Sequence, residues 1–541
     1  MAAPNFSFTH PQLGKVTGTD GEVVCFRGIP YATIKNRLAE PQLMNQYSDS
    51  VIATSNGPTS LLPPGAFQLE MLLMQQSQSD PQRPVSDLNA LHLNIYVPKI
   101  NGQLPVPGSL PIFAWIHGGG FVSGANSWPH YDMQNLIQLS ASQGLPVIGV
   151  GINFRLGMSG FLTSSELRTA GYKPNNQLRD QRVAFDWIRK YIGGFGGDSN
   201  RLTVAGESTG AVDVGLHLQS EQPLFDRAIM MGGSSLLMPP ATAEYQEWIY
   251  SRVLELLGIK EATPSERIRA LVEAPVEQLI SKLSPPLPYR PMIDHDLIKF
   301  PVTYDMVSQQ RSNATVPGHT WLKGLMVGDC QFDASSMAFF MDHKKPGIAQ
   351  SFPTHLRGAF PDNPDDIGKL LEIFGFTSEP LDDDMAFKNF LYFVNDLCYF
   401  GATATFAEGW SNNCYTFFMN ERNPWDGRFK GEATHVIDVS LLFQNFNDQL
   451  PTAMQASAKA FATDLFTFMA GRAPWPACTE KAQTARVYGP SSWETEVQNS
   501  TLHVVHSLVA PETGRRGAIL DIGRRLGLDN LAAAFGSFAA S

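Results

Sequence analysis

The stretch that decides the fold is LTVAGESTG, at residues 202–210. Its first four residues are apolar or β-branched, which is typical of a buried parallel strand. The apolar run 211–218 that follows is able to form a helix. The glycines on either side of Ser208 let such a strand turn sharply into the helix and expose the serine hydroxyl at the helix N-terminus. The stretch therefore predicts a nucleophilic serine, and its alternative is a glycine-rich turn without catalysis.

Other segments on both sides of this turn alternate between strand-like and helix-like patterns. Apolar runs bounded by glycine, proline or asparagine predict strands at 111–116, 146–152 and 228–231. Residues 178–192, which lie between the second of these runs and Ser208, place apolar side chains at helical spacing. Strand, helix and strand in succession predict an α/β fold around a mostly parallel sheet.

The second half of the chain is less regular. Helical patterns occur at 245–257, 385–406 and 454–469, and strand-like patterns occur at 324–328 and 413–419. No internal repeat, charge block or low-complexity linker divides the sequence. We therefore predict one domain over residues 1–541, in which 235–323 and 335–412 are insertions that shape a substrate pocket.

Composition and charge exclude several classes of partner. The 541 residues are 43% hydrophobic and carry a net charge of −11, so the chain has material for a large core but no basic face for nucleic acid or an anionic membrane surface. No apolar stretch reaches the roughly 18 residues of a membrane span. The N-terminus also lacks the basic and apolar regions of a signal peptide. We expect a cytoplasmic protein, or a secreted one if a leader has been removed.

The cysteines point to neither a disulfide framework nor a zinc site. They are odd in number, sparse and in no CxxC spacing, at positions Cys25, Cys330, Cys398, Cys414 and Cys478. We expect no metal and no cofactor.

A second glycine-rich motif, HGGGF at residues 117–121, directly follows the predicted strand 111–116. A glycine run lets backbone N–H groups turn toward a point where negative charge develops on an oxygen. The N–H groups of Gly119 and Gly120 would serve this purpose together with that of Thr209, while Gly118 would support the turn. The alternatives are a flexible loop or a phosphate cradle, and the latter would need a GxxxxGK[ST] pattern that this segment lacks.

These motifs belong to a wider set that resembles the type B carboxylesterases, the cholinesterase-like branch of the α/β-hydrolases. The further motifs are FRGIPYA at 26–32, LNIY at 93–96, NFRLG at 153–157, FGGD at 195–198, RPMID at 290–294 and APWP at 473–476. The resemblance covers nearly the whole chain and is dense in the first 235 residues. It implies an α/β-hydrolase fold, with a large sheet, helices on both faces and insertions that form a pocket or gorge.

The resemblance also implies the other members of a catalytic triad. The acid of the family lies five residues beyond a glycine that ends a strand, which is Asp333 here, although the family has glutamate at this position. Asp329 is the rival acid. His435, in GEATH, resembles the family's GAxHxxE stretch and follows in the order serine, acid, histidine. Glu207 resembles a buried glutamate of the family that accepts a supporting hydrogen bond, and its alternative is a surface charge.

The function that follows is a serine carboxylic-ester hydrolase that acts through an acyl-enzyme on a small-molecule ester, as a monomer or homodimer. Cholinesterases hold a quaternary ammonium group on a tryptophan before the LNVY strand, but the first tryptophan of this chain is Trp115. Residues 66–74 instead read AFQLEMLLM, so we predict a neutral, apolar ester. Leu72 and Leu73 in this stretch either contact the substrate or pack in the core.

Three other functions stay open at this level. An acyltransferase, or an enzyme that forms an ester or lactone, would use the same triad with an alcohol in place of water. A catalytically silent cholinesterase-like binding protein would need a broken triad, which the presence of Ser208 and His435 argues against. A peptidase has no supporting feature.

Overall fold

Strands and helices alternate along most of the chain, as the sequence predicts. The structure is a computed structural model that describes residues 4–260, 263–377, 381–410, 413–479, 482–491, 502–505 and 514–541. Its strands are β1 (Asn5–His10), β2 (Gly14–Thr19), β3 (Val23–Pro30), β4 (Ala32–Thr33), β5 (Gln42–Leu43), β6 (Ser50–Ile52), β7 (His92–Pro98), β8 (Leu110–Ile116), β9 (Ile148–Ile152), β10 (Gly197–Glu207), β11 (Arg227–Met231), β12 (Gly324–Cys330), β13 (Cys414–Met419), β14 (Ala485–Tyr488) and β15 (Leu502–Val505).

The helices cover both faces of the sheet and fill the long connections of the second half. They are α1 (Ala66–Met74), α2 (Gln134–Ser142), α3 (Gly157–Phe161), α4 (Ser165–Thr169), α5 (Asn176–Tyr191), α6 (Thr209–His217), α7 (Ala243–Leu257), α8 (Pro264–Glu273), α9 (Val276–Lys282), α10 (Tyr304–Ser308), α11 (Gly318–Trp321), α12 (Met337–Met341), α13 (Ile348–Ala359), α14 (Pro364–Ile373), α15 (Asp383–Asn395), α16 (Gly401–Gly409), α17 (Ile437–Leu442), α18 (Thr452–Met469), α19 (Gly514–Leu526) and α20 (Leu528–Ala540).

One large sheet organises these elements. Its strand order is β1-β2-β3-β7-β9-β8-β10-β11-β12-β13-β14-β15, and β6 pairs with β2 at one side. The strands from β9 to β14 in this order are parallel to one another, whereas the two margins of the sheet are antiparallel. The mostly parallel sheet confirms the predicted α/β fold class.

Both faces of the sheet are buried, which explains why its strands read as continuous apolar runs. Along β8, Ile112 and Ala114 join the core on one face, while Phe113 and Trp115 join the core on the other. All four side chains are fully buried. Alternation of side chains across a strand therefore fills two separate core layers from one segment.

The predicted elements of the second half are present with one difference. The helical pattern at 385–406 divides into α15, a π-helical turn at Asp396–Phe400 and α16. Helices α7 to α11 lie within 235–323, and α12 to α16 lie within 335–412, of which 378–380 and 411–412 fall outside the described residues. That these segments are insertions that shape the substrate pocket stays a prediction.

Helix α1 corrects one expectation about the AFQLEMLLM stretch. Its buried side includes Phe67, Glu70, Met71 and Met74, whereas the side chain of Leu72 is 55% exposed. A core-packing role for Leu72 is therefore wrong, while Leu73 is partly buried against the core.

All five cysteines are buried and occur as free thiols. Among the described residues, no group of three or more histidine, cysteine, aspartate or glutamate side chains is arranged to hold a metal ion. Within the same ranges, no helix combines the length and apolar character that crossing a membrane requires.

Candidate active site

The residues singled out by sequence follow the carboxyl ends of neighbouring strands. HGGGF follows β8, Ser208 follows β10, Asp333 follows β12 and His435 lies beyond β13. Strands β8, β10, β11, β12 and β13 are parallel neighbours in the sheet. Their carboxyl ends therefore meet at one edge, where open α/β sheets place their ligand sites.

Ser208 lies at a strained turn between β10 and α6. Its backbone has φ 55° and ψ −125°, a conformation that a residue with a side chain rarely adopts. The turn is bonded to the end of the neighbouring strand β11, because the N–H of Ser208 donates to the carbonyl oxygen of Met231 at 3.0 Å. The structure thus has the sharp strand-to-helix turn that GESTG predicts.

The glycines of GESTG are required by close packing. A Cβ on Gly210 would lie 2.2 Å from the carbonyl oxygen of Ile116, and a Cβ on Gly206 would lie 2.4 Å from the carbonyl of Gly210. A Cβ on Gly118 would lie 2.9 Å from the Cβ of Ser208. The nucleophile turn and the HGGGF loop therefore pack directly against one another, with room only for glycine at these points.

His435 and Asp333 form a buried pair. The Nδ1 atom of His435 lies 2.7 Å from Oδ1 of Asp333, and the two side chains are 4% and 0% exposed. The second carboxylate oxygen of Asp333 accepts a hydrogen bond from the backbone N–H of Cys330 at 2.7 Å. Because a carboxylate accepts hydrogen bonds, Nδ1 of His435 carries a proton, and Nε2 has the lone pair when the ring is neutral.

The rival acid, Asp329, is engaged elsewhere. Its Oδ2 atom accepts from the guanidinium of Arg516 at 2.5 Å, and Arg516 also lies 3.6 Å from Asp396. Arg516 comes from α19 and is buried. The geometry therefore favours Asp333 over Asp329 as the partner of His435.

Glu207 lies on the other side of the imidazole. Its Oε1 atom is 3.0 Å from Nε2 of His435, yet it receives no hydrogen bond within the described residues. Glu207 is 1% exposed, so it is not a surface charge. Burial raises the pKa of Glu207 well above its usual value against the opposing charge of His435, and Asp438 and Glu70 add to the increase.

The neighbouring carboxyl groups also raise the pKa of His435. Burial alone would lower the pKa of His435, but the charge of Glu207 and the hydrogen bond to Asp333 outweigh it and raise the pKa above 6.5. His435 thus holds a proton more tightly than an exposed histidine does.

The HGGGF loop presents free backbone donors. Gly119 and Gly120 have φ values of 111° and 63°, which favour glycine. Within the described residues, their N–H groups have no acceptor. The loop is joined to the nucleophile helix, because the N–H of Phe121 donates to Oγ1 of Thr209 at 3.3 Å. Two unpaired donors next to the serine turn are able to bind a developing oxyanion.

One expected contact is not formed in this structure. The hydroxyl of Ser208 makes no hydrogen bond to His435 among the described residues. Gly232 lies beside the other three groups, because a Cβ on it would be 3.0 Å from Asp333 Oδ1, 3.3 Å from His435 Cε1 and 3.4 Å from Glu207 Oε1, and the next residue, Gly233, packs on the backbone of Ser208. Catalytic hydrogen bonds of enzymes without substrate are often long, and they shorten in the reacting complex.

Sequence reasoning missed a polar group on α1. Glu70 is 5% exposed, its Oε1 atom accepts from the hydroxyl of Tyr131 at 3.0 Å and it lies 3.5 Å from Nε2 of His130. The signal was present in AFQLEMLLM, where Glu70 shares the helical face of Phe67, Met71 and Met74. A charged residue within an apolar helical stripe indicates a buried partner.

Comparison with known proteins identifies the family. The sequence model of the carboxylesterase family matches residues 8–470. The chain belongs to this family. The predicted resemblance to type B carboxylesterases is confirmed.

Two curated relatives and two solved structures show how similar the chain is to individual members. It is 35% identical over 256 residues to the para-nitrobenzyl esterase of Bacillus subtilis strain 168, covering 46% of this chain and 48% of that protein. It is 32% identical over 277 residues to the cholinesterase of Mus musculus, covering 48% of this chain and 42% of that protein. The aligned part of the chain thus spans less than half the length of each relative.

The solved structures match over a much longer range. A carboxylesterase of Geobacillus stearothermophilus has a TM-score of 0.70 at 21% identity, covering 95% of this chain and 99% of that one. A PNB esterase structure has a TM-score of 0.69 at 21% identity with the same coverage. These likenesses confirm the α/β-hydrolase fold.

Proposed function

We propose that the protein is a serine carboxylesterase that hydrolyses neutral, apolar esters through an acyl-enzyme. The observation that carries the proposal is the buried hydrogen bond of 2.7 Å between His435 and Asp333, located at the sheet edge that also holds the Ser208 turn. Because the chain belongs to the carboxylesterase family, ester hydrolysis is supported as the reaction type.

In this mechanism the hydroxyl of Ser208 attacks the ester carbonyl. Nε2 of His435 takes the serine proton, and Asp333 keeps the ring in the tautomer that has its lone pair on Nε2. The N–H groups of Gly119, Gly120 and Thr209 bind the oxyanion. His435 then gives the proton to the leaving alcohol, and water repeats the sequence to release the acid.

Glu207 has a supporting role in the same cycle. The imidazolium that forms during each proton transfer lies 3.0 Å from the Glu207 carboxyl group, so a negative charge there would stabilise it. Because the buried carboxyl has a raised pKa, its protonation depends on pH and on the state of His435. Gly118 supports the site by keeping space open beside Ser208.

The apolar substrate is supported by a cavity beside the HGGGF loop. Its walls include Val122, which directly follows that loop, Leu156 and Met158 at the N-terminus of α3, and Leu279 from α9. Side chains of this kind favour hydrocarbon over charged groups. Helix α1 contributes the buried Glu70 rather than the tryptophan of a choline site.

The test is a panel of p-nitrophenyl esters of increasing acyl length, assayed with the wild-type protein and with Ser208→Ala. We expect the wild type to turn over apolar esters and Ser208→Ala to lose activity by roughly 10⁶-fold in kcat. Ser265→Ala, which changes an exposed serine on α8, is the matched control and keeps wild-type activity. Equal inactivity of wild type and Ser208→Ala on every ester would refute the proposal.

Inhibition of the same hydrolysis reaction tests whether the site prefers a neutral or a cationic substrate. Quaternary-ammonium compounds are expected to inhibit weakly, because the stretch before β7 has no tryptophan face for a cation. Tight competitive inhibition by such a compound would contradict a neutral substrate while leaving the esterase proposal intact.

A further inference from the structure

The apolar cavity beside the HGGGF loop contains one polar side chain that the proposed mechanism does not use. Tyr289 lines this cavity together with Val122, Leu156, Met158, Leu279 and Leu283. The cavity has a volume of about 40 Å³ and is open to solvent on one side. Its walls are tied to the oxyanion loop, because the N–H of Gly157 donates to the carbonyl oxygen of Phe121 at 2.8 Å. The cavity therefore adjoins the HGGGF loop, whose N–H groups are proposed to bind the oxyanion.

The hydroxyl of Tyr289 is unsatisfied. Tyr289 is only 3% exposed, and its hydroxyl has no hydrogen-bond partner within the described residues. Its ring packs against Gly157, where a Cβ would lie 3.6 Å from two ring carbons. Burial raises the pKa of Tyr289, so the hydroxyl keeps its proton and remains a donor.

An unpaired buried hydroxyl is costly for the protein. Phenylalanine would fill nearly the same volume in this apolar wall without that cost. Several other buried tyrosines pair their hydroxyls, as Tyr131 does with Glu70 at 3.0 Å and Tyr304 does with the carbonyl of Leu397 at 3.0 Å. Tyr289 thus differs from these tyrosines, and it does so in the wall of a cavity.

We propose that Tyr289 donates a hydrogen bond to an ether or ketone oxygen carried on an otherwise apolar arm of the substrate. The inference deepens the proposed esterase function and rests on it. It assigns the substrate class as esters whose acyl or alcohol part is a hydrocarbon chain with one internal hydrogen-bond acceptor. Tyr289 is then a specificity-determining residue, and the apolar wall around it excludes charged groups.

The experiment combines a substrate change with a side-chain change. One series of p-nitrophenyl esters carries alkyl acyl chains of equal length in which an ether oxygen replaces each methylene in turn. A second series keeps a simple acyl group and scans the oxygen along the alcohol chain, so the two series separate the acyl arm from the alcohol arm. Each oxygen-containing ester is compared with its hydrocarbon counterpart by the ratio of kcat/KM, for wild type and for Tyr289→Phe.

We expect at least one oxygen position at which the wild type prefers the ether and Tyr289→Phe loses that preference by about tenfold. At the same time, Tyr289→Phe is expected to hydrolyse simple alkyl esters at least as well as the wild type. Tyr304→Phe is the matched control, because its hydroxyl donates to the carbonyl of Leu397 at 3.0 Å and Tyr304 does not line this cavity. This variant is expected to leave every ratio unchanged.

The outcomes separate the two proposals. Both proteins could hydrolyse alkyl esters and still show the same ether-to-alkyl ratio of kcat/KM at every oxygen position. That result would overturn the assignment of Tyr289 and leave the esterase function standing. If the wild type hydrolyses no ester, the esterase function itself fails. A thermal melt of Tyr289→Phe at or above the wild-type midpoint verifies that the variant is folded.

Discussion

Replacing Asp333 by asparagine is the sharpest test of the acid in the proposed triad. The carboxylate of Asp333 serves two donors, because Oδ1 pairs with Nδ1 of His435 at 2.7 Å and Oδ2 accepts from the N–H of Cys330 at 2.7 Å. Asparagine has one oxygen and one NH₂ group. Whichever way the amide is oriented, one of the two donors faces the NH₂ group instead of an acceptor.

The expected loss of activity follows because asparagine has one acceptor oxygen for two donors. If the amide oxygen keeps the N–H of Cys330, the NH₂ group faces Nδ1 and favours the ring tautomer in which Nε2 is protonated. That tautomer is unable to take the proton of Ser208, and the expected decrease in kcat is about 10⁴-fold. The opposite orientation places two donors against each other in a fully buried position and costs stability instead.

Asp329→Asn is the control for this experiment. Asp329 pairs with Arg516 rather than with His435, so we expect kcat to stay within about tenfold of wild type. Both partners are buried, and the free energy of unfolding should fall by roughly 3 kcal/mol, at the low end for a broken buried pair because Asp396 still faces Arg516. The assay is hydrolysis of a p-nitrophenyl ester together with urea unfolding. A larger loss of kcat in Asp329→Asn than in Asp333→Asn would refute the assignment of Asp333.

Two further predictions concern the charges around the site. Esterase activity needs neutral His435, so kcat/KM rises with pH through the pKa of this residue. Because the charge of Glu207 raises that pKa, Glu207→Gln should move the acid limb of the kcat/KM profile to lower pH, and a shift to higher pH would contradict the role given to Glu207. Arg516→Met should lower the free energy of unfolding by roughly 3–5 kcal/mol, since it leaves Asp329 buried without its partner, while Asp396 keeps its ion pair with Arg515. Adding Asp329→Asn should restore part of that loss in urea unfolding, and no restoration would contradict the pairing.

The fold and the strand-to-helix turn at Ser208 could be predicted from sequence because their signals are local. The GESTG turn joins a strand to a helix within a few residues, and each parallel strand is buried on both faces, so its composition alone identifies it. The helical pattern at 385–406 was predicted as one helix and contains the π-helical turn at Asp396–Phe400. Periodicity does not reveal one extra residue per turn when both flanks are helical.

The remaining parts of the site depend on contacts between distant segments. Arg516, whose pairing with Asp329 favours Asp333 as the partner of His435, lies 187 residues beyond Asp329 on a helix that the sequence patterns did not predict. Glu70 meets Tyr131 across 61 residues. The unpaired hydroxyl of Tyr289 is visible only when all of its surroundings are known. Spacing along a chain contains no information of this kind until the fold brings the segments together.

The burial of the five free thiols gives the protein a set of natural reporters on its own opening. Thiol reagents attack the thiolate, and burial raises the pKa of Cys25 and of Cys398 to about 12. At neutral pH a buried thiol therefore reacts with such a reagent only when the segment around the cysteine opens. The five positions lie on β3, on β12, in the turn after α15, on β13 and beyond α18. Labelling kinetics read by mass spectrometry would rank the opening rates of these regions without any engineered probe.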